Sequence, residues 1–460
     1  LSMKKLILTI TMVSLTAATF AQSAKQETSY RRSSLYTIML PDDKLEGDQK
    51  AIVTETFLNK AFPEKYNNHC LKERIIDLAA LKNLKVSAEE ISAAEAEANQ
   101  GKSKAGGFAK KGLGFMKKQA SSSTSSGTTS GTPSGSVSDA EYIAKLQKYF
   151  TANHVAGRMV AKWFGGPETA PKKATPISTT LVEERGIKTL STDELNKAKQ
   201  KVGEKEKLVA AAEYDLMGRT FVTVNRYSYL SAEDIIAITS AAASAVGGGA
   251  IAAYGGAALS AVLKGYFVKT TTYLFQLDLN KDNINKLIEK YNSNIIGLYT
   301  NNDIKLKYVG KTWDYAPATM KISAKSAASD TLIAHATLRA TDGAIAKLQK
   351  KYDQFKTLAT LHQDGEKLFA FIGAKEGCKE GDKFEVLQKT LDDEGNEVFE
   401  TVGQVKIQKG ELWDNRPGAG KAIEGAATNK DKSGANASLT SSGLGTSKKL
   451  WEGSLLRQTK

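Results

Sequence analysis

The sequence has few of the residues that build covalent frameworks and metal centres. It contains two cysteines, Cys70 and Cys378, and four histidines, at positions 69, 154, 335 and 362. Two cysteines exclude a disulfide-rich scaffold and leave open either one long-range bridge or two free thiols. Structural zinc sites use four closely spaced Cys or His ligands, and the histidines are not clustered. We therefore expect no metal site and no other cofactor.

The sequence also lacks the motifs of the common enzyme classes. It has no nucleophile elbow, no Walker-type phosphate loop and no His-Glu metalloprotease motif. The glycines at 247–249 and 255–256 lack the strand-then-helix setting of a dinucleotide-binding fingerprint. The acidic run at 392–396 has calcium-like residues but no loop-closing Glu, and a hairpin turn explains it better. We assign no catalytic residue, and an enzyme is the less favoured interpretation.

The charge balance is basic, but its distribution is even. The formal net charge is +14, from 64 Lys and Arg against 50 Asp and Glu. No stretch combines basic residues with interleaved aromatics as nucleic-acid recognition modules do. We therefore expect no specific nucleic-acid partner, and only non-specific attraction to anionic polymers or lipid headgroups.

The first 21 residues have the pattern of a secretory signal peptide. Met3 is followed by two lysines, a short apolar run and small residues before Ala21, while residues 1–2 lie upstream of the expected start. The apolar run is short for a membrane span. We expect cleavage after Ala21 and a mature chain beginning at Gln22, located in the periplasm, at the outer membrane or at the cell surface.

Composition divides the remaining chain into four regions of an α+β protein. Alternating strand and helix patterns predict an N-terminal α/β region at 22–100 and a central α/β domain at 139–362. Between them, 101–138 is first basic and then rich in Ser, Thr and Gly, as flexible linkers are. Short strands separated by glycine turns predict a small β-barrel at 363–460, with a loop at 415–447 before its last strand.

Local patterns predict individual elements. Ser138 has the residue type that caps a helix N-terminus. The segment 62–69 is expected as a Pro/Asn turn, with a binding loop as the alternative. Helices are expected at 73–84, 138–164 and 342–361, and strands at 181–187, 220–230 and 266–279. The last two strands look like partners in one sheet.

The linker begins with a basic stretch that contains no acidic residue. Six lysines lie in it: Lys102, Lys104, Lys110, Lys111, Lys117 and Lys118. The favoured interpretation is a solvated tether, because this composition buries too little apolar surface to offset the ordering entropy. The alternative is contact with an anionic surface, where each lysine contributes ~1 kcal/mol.

A charge-free segment at 235–263, rich in Ala, Gly and Ser, interrupts the central domain. Small residues recur at every fourth position: Ser240, Ser244, Gly248, Ala252, Gly256 and Ser260. In a helix this series forms a groove that a second helix can approach closely. Three interpretations stay open: a membrane span, a helical hairpin buried in the fold or an oligomer interface, and a hairpin that dips into a membrane. The consecutive glycines at 247–249 favour the hairpin forms.

One group of segments resembles curli-secretion-type outer-membrane assembly proteins. LVEERG at 181–186, a helix at 193–202 and AEYDLMGR at 212–219 are similar to a pattern in those proteins. In that pattern a strand ending in Glu-Arg precedes a helix and a turn into the next strand. The resemblance implies an assembly role.

Other segments resemble different exported proteins. The block at 377–386 and 403–407 is similar to the small C-terminal β-barrel of the flagellar assembly T protein family. The cleavage site after Ala21, FPEKYN at 62–67 and WEGSLLRQ at 451–458 resemble uncharacterised exported proteins of Bacteroidota.

Together the residues and the resemblances predict a non-enzymatic envelope protein with an assembly, scaffold or interaction role. Expected partners are other proteins or further copies of the chain, with membrane contact through 235–263. The alternative is a periplasmic or surface hydrolase, or a cell-wall or glycan-binding protein, whose site is scattered across loops. The sequence names neither a partner nor a small-molecule ligand.

Overall fold

The computed structural model describes residues 33–43, 45–106, 138–190, 203–231, 263–321, 328–391, 397–416, 419, 435–446, 450 and 453–459. Helices and strands are both abundant in these ranges, and the α+β class is confirmed. The helices are α1 (Gly47–Asn59), α2 (Leu78–Asn83), α3 (Ala88–Gly106), α4 (Asp139–Ala152), α5 (Val155–Trp163), α6 (Thr180–Ile187), α7 (Glu204–Gly218), α8 (Lys281–Tyr291) and α9 (Ala328–Lys351).

The strands of the central domain are β1 (Ser33–Pro41), β2 (Tyr66–Asn68), β3 (Thr220–Ser231), β4 (Leu263–Leu277) and β5 (Leu306–Lys321). Those of the C-terminal region are β6 (Ala359–Thr360), β7 (His362–Asp364), β8 (Lys367–Ala370), β9 (Lys383–Leu391), β10 (Glu397–Lys406), β11 (Ser442–Thr446) and β12 (Leu455–Gln458). Short 3-10 turns occur at Ile295–Thr300, Asp353–Phe355 and Ala374–Glu376.

A mixed five-stranded sheet, in the order β2-β1-β3-β4-β5, forms the centre of the molecule. β1 is parallel to β2 and to β3, whereas β3–β4 and β4–β5 are antiparallel. The predicted pairing of 220–230 with 266–279 is confirmed, with Val224 opposite Tyr273. Because β1 and β2 come from 22–100, the region expected as a separate N-terminal part contributes two strands to the central sheet.

Helices cover both faces of this sheet. On one face α3, α4 and α5 pack against Val224 and Phe275, around the fully buried Trp163. On the other face α1 and α9 pack against Tyr227 and Val268. The three layers remove both apolar faces of the sheet from water, which is the main favourable contribution to folding.

Short-range hydrogen bonds fix where helices begin. Ser138 Oγ accepts from the Glu141 amide at 3.1 Å, as predicted for an N-cap. Before α3, the Ser87 amide donates to Glu90 Oε2 at 2.7 Å and the Glu90 amide donates to Ser87 Oγ at 3.2 Å. Such capping boxes satisfy amide groups that have no partner within the helix.

The single helix predicted over 138–164 is wrong, since two helices, α4 and α5, occupy this range. Asn153 donates its side-chain amide to Tyr149 O at 2.8 Å, and His154 has a φ of 49°. A non-glycine residue in this left-handed region interrupts a helix.

The strand predicted at 181–187 is also wrong, because these residues form α6. Val182 and Gly186 are buried four residues apart, whereas a strand would bury alternate residues. Gly186 lies against Glu213 of α7, where an added Cβ would be 2.9 Å from the Glu213 Cγ. The segment similar to curli-secretion-type proteins therefore has a helix where the resemblance implies a strand.

Three further boundaries differ from the predictions. The helix expected at 342–361 is α9, which begins and ends earlier in the chain. The helix expected at 73–84 is shortened to α2, since Ile75 forms a parallel bridge with Met39 of β1. Helix α3 continues through Gly106 into the expected linker, while 107–137 lie outside the described residues.

The C-terminal region is a β unit made of two antiparallel sheets around one core. Their strand orders are β10-β9-β12-β6 and β11-β8-β7. Phe384, Val386, Ile407 and Leu456 belong to the shared core. Where a small β-barrel was predicted at 363–460, the described residues form these two sheets, and the loop expected at 415–447 contains strand β11.

Candidate functional site

Most of the predicted contact residues lie outside the described residues. This holds for the whole small-residue series, Ser240, Ser244, Gly248, Ala252, Gly256 and Ser260, and for four of the lysines, Lys110, Lys111, Lys117 and Lys118. The expected helical hairpin insertion is also outside these ranges. Lys102 and Lys104 lie near the end of α3. Within the described ranges, no helix is long and apolar enough to cross a membrane.

The described strands show where the apolar segment joins the fold. β3 ends at Ser231, which is paired with Tyr266 of β4, and β4 begins at Leu263. β1 stops at Pro41, opposite Tyr227, so β3, β4 and β5 continue beyond it. We call these projecting residues, 228–231, 263–269 and 315–321, the hairpin end.

A surface of aromatic rings and lysines overlaps the hairpin end. It is formed by Lys269, Trp313, Tyr315 and Lys347, and we call it the Trp313 surface. Trp313 is 45% exposed. Its ring stacks with that of Tyr315, with centroids 5.9 Å apart and planes 20° apart. The Nζ atoms of Lys269 and Lys347 lie 5.5 and 5.2 Å from the Trp313 ring centroid. Cation–π contacts at exposed sites contribute ~0.5–1 kcal/mol each, which helps to hold the lysines beside the rings.

A polar cluster fixes the chain directly after β1. Arg226 Nη2 donates to Asp42 Oδ2 at 2.6 Å, and Ser228 Oγ donates to the same oxygen at 3.0 Å. The Arg226 guanidinium lies 5.0 Å from the centroid of the Tyr142 ring. Burial raises the pKa of Tyr273 to about 12 and also raises the pKa of Tyr142. Both phenols therefore stay protonated near neutral pH. The cluster is thus suited to holding the end of β1 in place against β3.

The outer edge of β5 is closed to further strand pairing at several points. Near its start, the Tyr308 amide donates to Glu97 Oε2 of α3 at 2.8 Å. Further along, Trp313 O accepts from Lys347 Nζ at 3.0 Å, and the Tyr315 amide donates to Asp314 Oδ1 at 2.9 Å. Two residues on, at 317, the chain has a proline, which carries no amide hydrogen. Charged side chains and proline are common ways of blocking an exposed edge.

A second buried cluster, not predicted from the sequence, joins β2, α5 and α6. The His69 ring stacks on Trp163 with centroids 4.8 Å apart. His69 Nε2 donates to Met159 O at 2.8 Å, and Nδ1 accepts from Arg185 Nη1 at 3.0 Å. The Arg185 guanidinium also lies 4.8 Å from the Trp163 ring centroid.

The electrostatics of this cluster indicate a structural role. Burial, followed by the charge of Arg185, lowers the pKa of His69 to about 3. Burial also lowers the pKa of Arg185 to about 10. His69 is therefore neutral and uses both ring nitrogens to join elements of the fold. His69 and Arg185 are 116 residues apart, so no local sequence signal connects them.

The sequence leaves open whether the two cysteines form a disulfide or are free thiols. Cys70 and Cys378 are both free and buried, and they belong to the cores of the central domain and of the C-terminal unit respectively. In the part of the chain that the structure describes, no group of three or more His, Cys, Asp or Glu side chains is arranged to hold a metal ion.

The chain matches no protein-family model and no curated protein. Its resemblance to envelope assembly proteins stays a prediction.

Proposed function

We propose that this chain is an exported, non-enzymatic cell-envelope protein that associates with itself or with a partner protein through its hairpin end. The observation that carries the proposal is where the apolar segment joins the sheet. The segment 235–263 connects the paired strands β3 and β4, and the Trp313 surface lies further along β4 and β5, with Trp313 opposite Thr271. The charge-free sequence and the exposed aromatic surface therefore share strand β4.

The chemistry of this end supports association. Burial of apolar surface contributes ~25 cal/mol per Å², and exposed apolar patches on folded proteins commonly mark interaction sites. Trp313 is the most exposed large apolar side chain among the described residues. Trp and Tyr are enriched among the residues that dominate interface energies, and Lys269 and Lys347 add positive charge that steers an acidic partner.

The blocked edge of β5 limits how a partner docks. Adding a strand there requires open backbone donors and acceptors, and the Trp313 carbonyl and the Tyr315 amide already have partners. At the other edge, β2 has only three residues. We therefore propose that contacts form through the apolar segment and the Trp313 surface, with membrane contact through 235–263 as part of the same role.

The double substitution Gly248→Leu/Gly256→Leu tests this proposal. If the small-residue series packs against a partner or against itself, the added side chains force the contact apart at a cost of ~1–3 kcal/mol per site. The variant should stay folded but lose association with envelope membranes or with itself. Envelope fractionation and sedimentation velocity measure both effects.

A matched control places the same change in the Ser/Thr/Gly-rich linker. Gly127→Leu/Gly135→Leu has the same residue types and the same eight-residue spacing, and it should behave as the wild type does. If wild type and both variants are monomeric, soluble and equally stable, the proposed association surface is refuted.

A further inference from the structure

A cleft separates the central domain from the C-terminal β unit. Its volume is about 200 Å³. The end of α9, the loop before β2, the turn Ala374–Glu376 and strands β9 and β12 form its walls. Ligand sites occur preferentially at such junctions, and sites for drug-sized molecules are larger, ~300–1,000 Å³. The cleft has the size for a small molecule.

Three lysines line the cleft, Lys65, Lys350 and Lys356, and the last of them is paired with Asp353 at 2.6 Å. Lys65, in the loop before β2, places Nζ 3.6 Å from Glu376 Oε1. Lys350, near the end of α9, donates to Gly377 O at 2.5 Å and lies 3.9 Å from Asp382 Oδ2. The segment around Lys65, for which a plain turn and a binding loop were the alternatives, therefore contributes a charged group to a cavity.

The carboxylates in the same walls are held mainly by donors of the C-terminal unit. Glu376 Oε2 accepts from the Gly373 amide and from Asn415 Nδ2, each at 2.7 Å. Asp382 Oδ2 accepts from the Lys379 amide at 3.0 Å. These donors hold both carboxylates in place within the C-terminal unit.

The pKa of Glu376 agrees with this arrangement. Burial raises its pKa, but the Lys65 ammonium and the hydrogen bonds from Asn415 and Gly373 together hold it below the ordinary value. Glu376 is therefore ionised near neutral pH and forms a permanent part of the wall.

The lysines retain capacity for another partner. An ammonium has three N–H donors, and the contacts of Lys65 and Lys350 with described residues use only part of this capacity. The Lys65 side chain is only 16% exposed. A buried cation is costly unless it is paired and hydrogen-bonded, so an anion between the two ammonium groups would offset this cost.

We propose that this cleft binds a small anion carrying a carboxylate or phosphate group, held between Lys65 and Lys350. The anion receives charge-assisted hydrogen bonds, which are stronger than neutral ones. Because Lys65 and Lys350 belong to the central domain and the opposite wall to the C-terminal unit, the bound anion also strengthens the junction. The site is separate from the hairpin end.

Calorimetric titration of the full chain tests the proposal. Inorganic phosphate and citrate are titrated separately, which distinguishes a preference for phosphate from one for carboxylate. We expect saturable binding of one anion per chain for at least one probe. Lys65→Met and Lys350→Met should each weaken it by about tenfold or more, since each removes a charged partner of the anion. Lys367→Met, at an exposed lysine of β8, is the matched control and should bind as the wild type does.

Hydrogen exchange in the wild type provides a second readout that needs no variant. Bound anion should slow amide exchange at 347–358 and 373–382, and leave exchange in β3 unchanged. Absence of saturable binding for both probes overturns the proposal. Equal affinity in wild type, Lys65→Met and Lys350→Met also overturns it.

Discussion

At the scale of single residues, burial of His69 makes the stability of the central domain depend on pH. Burial and then Arg185 lower its pKa from 6.5 to about 3. Between these two values the unfolded chain binds a proton that the folded protein does not bind. The free energy of unfolding therefore falls as the pH falls through this window, by about 1.5 kcal/mol between pH 6.5 and pH 5 from this group alone.

Urea unfolding across that pH range measures the effect. His69→Gln keeps an amide donor near Met159 O but does not titrate, so its unfolding free energy should depend less on pH. His154→Gln replaces a histidine whose Nδ1 contacts Asn302, and it serves as the control substitution. An unchanged slope in His69→Gln would show that the assigned pKa is wrong.

Residue-level features were predictable only where the physical cause is local. Ser138 caps α4 by contacting an amide three residues away, so its role is visible in the sequence. Arg185 gains its role from His69 and Trp163, which reach it through tertiary packing. Likewise, Trp313 and Tyr315 alternate along one strand, but the lysines beside them come from β4 and α9.

At the scale of elements, the protection of the β5 edge determines whether the sheet grows between molecules. The double substitution Asp314→Ala/Pro317→Thr frees the Tyr315 amide and adds an amide hydrogen two residues on. We expect concentration-dependent β-type aggregation, because an open edge is a template for pairing with another chain. Thioflavin fluorescence and sedimentation velocity follow it.

The control for this experiment repeats both kinds of substitution away from the sheet edge. Asp43→Ala/Pro171→Thr removes an exposed ion pair between Asp43 and Lys82 and replaces a loop proline. It should leave solubility unchanged. Equal aggregation of the two double variants would mean that the protected edge of β5 does not limit aggregation.

Helices and strands were predicted correctly where apolar and polar residues alternate cleanly. The prediction failed where contacts with a distant element determine whether a segment is helix or strand. The alternation in β3 located both the strand and its pairing with β4. In α6 the run Thr-Thr-Leu-Val has strand-like composition, but burial of Val182 and close packing of Gly186 against Glu213 of α7 select the helix. Such contacts depend on a partner helix that the local pattern does not contain.

At the scale of the whole molecule, the sheet order was beyond sequence reasoning. β1 pairs with β3 in register from Ser34↔Thr220 to Pro41↔Tyr227, so the two strands are far apart in the chain. The mixture of helix and strand patterns in the sequence predicts the α+β class. That β1 and β2 join the central sheet is visible only in the structure. The cleft beside Lys65 exists only because two distant regions meet there.

The central claim is that the chain associates through its hairpin end and the Trp313 surface, and site-specific photo-crosslinking in native envelopes tests it most directly. A photoreactive amino acid replaces Trp313, and in a second variant it replaces Ile187, which is similarly exposed at 44% but lies on α6. We predict crosslinked adducts, to a second copy or to a partner protein, from position 313 and none from position 187. A folded protein that gives no adduct from position 313, or equal adducts from both positions, would contradict the account.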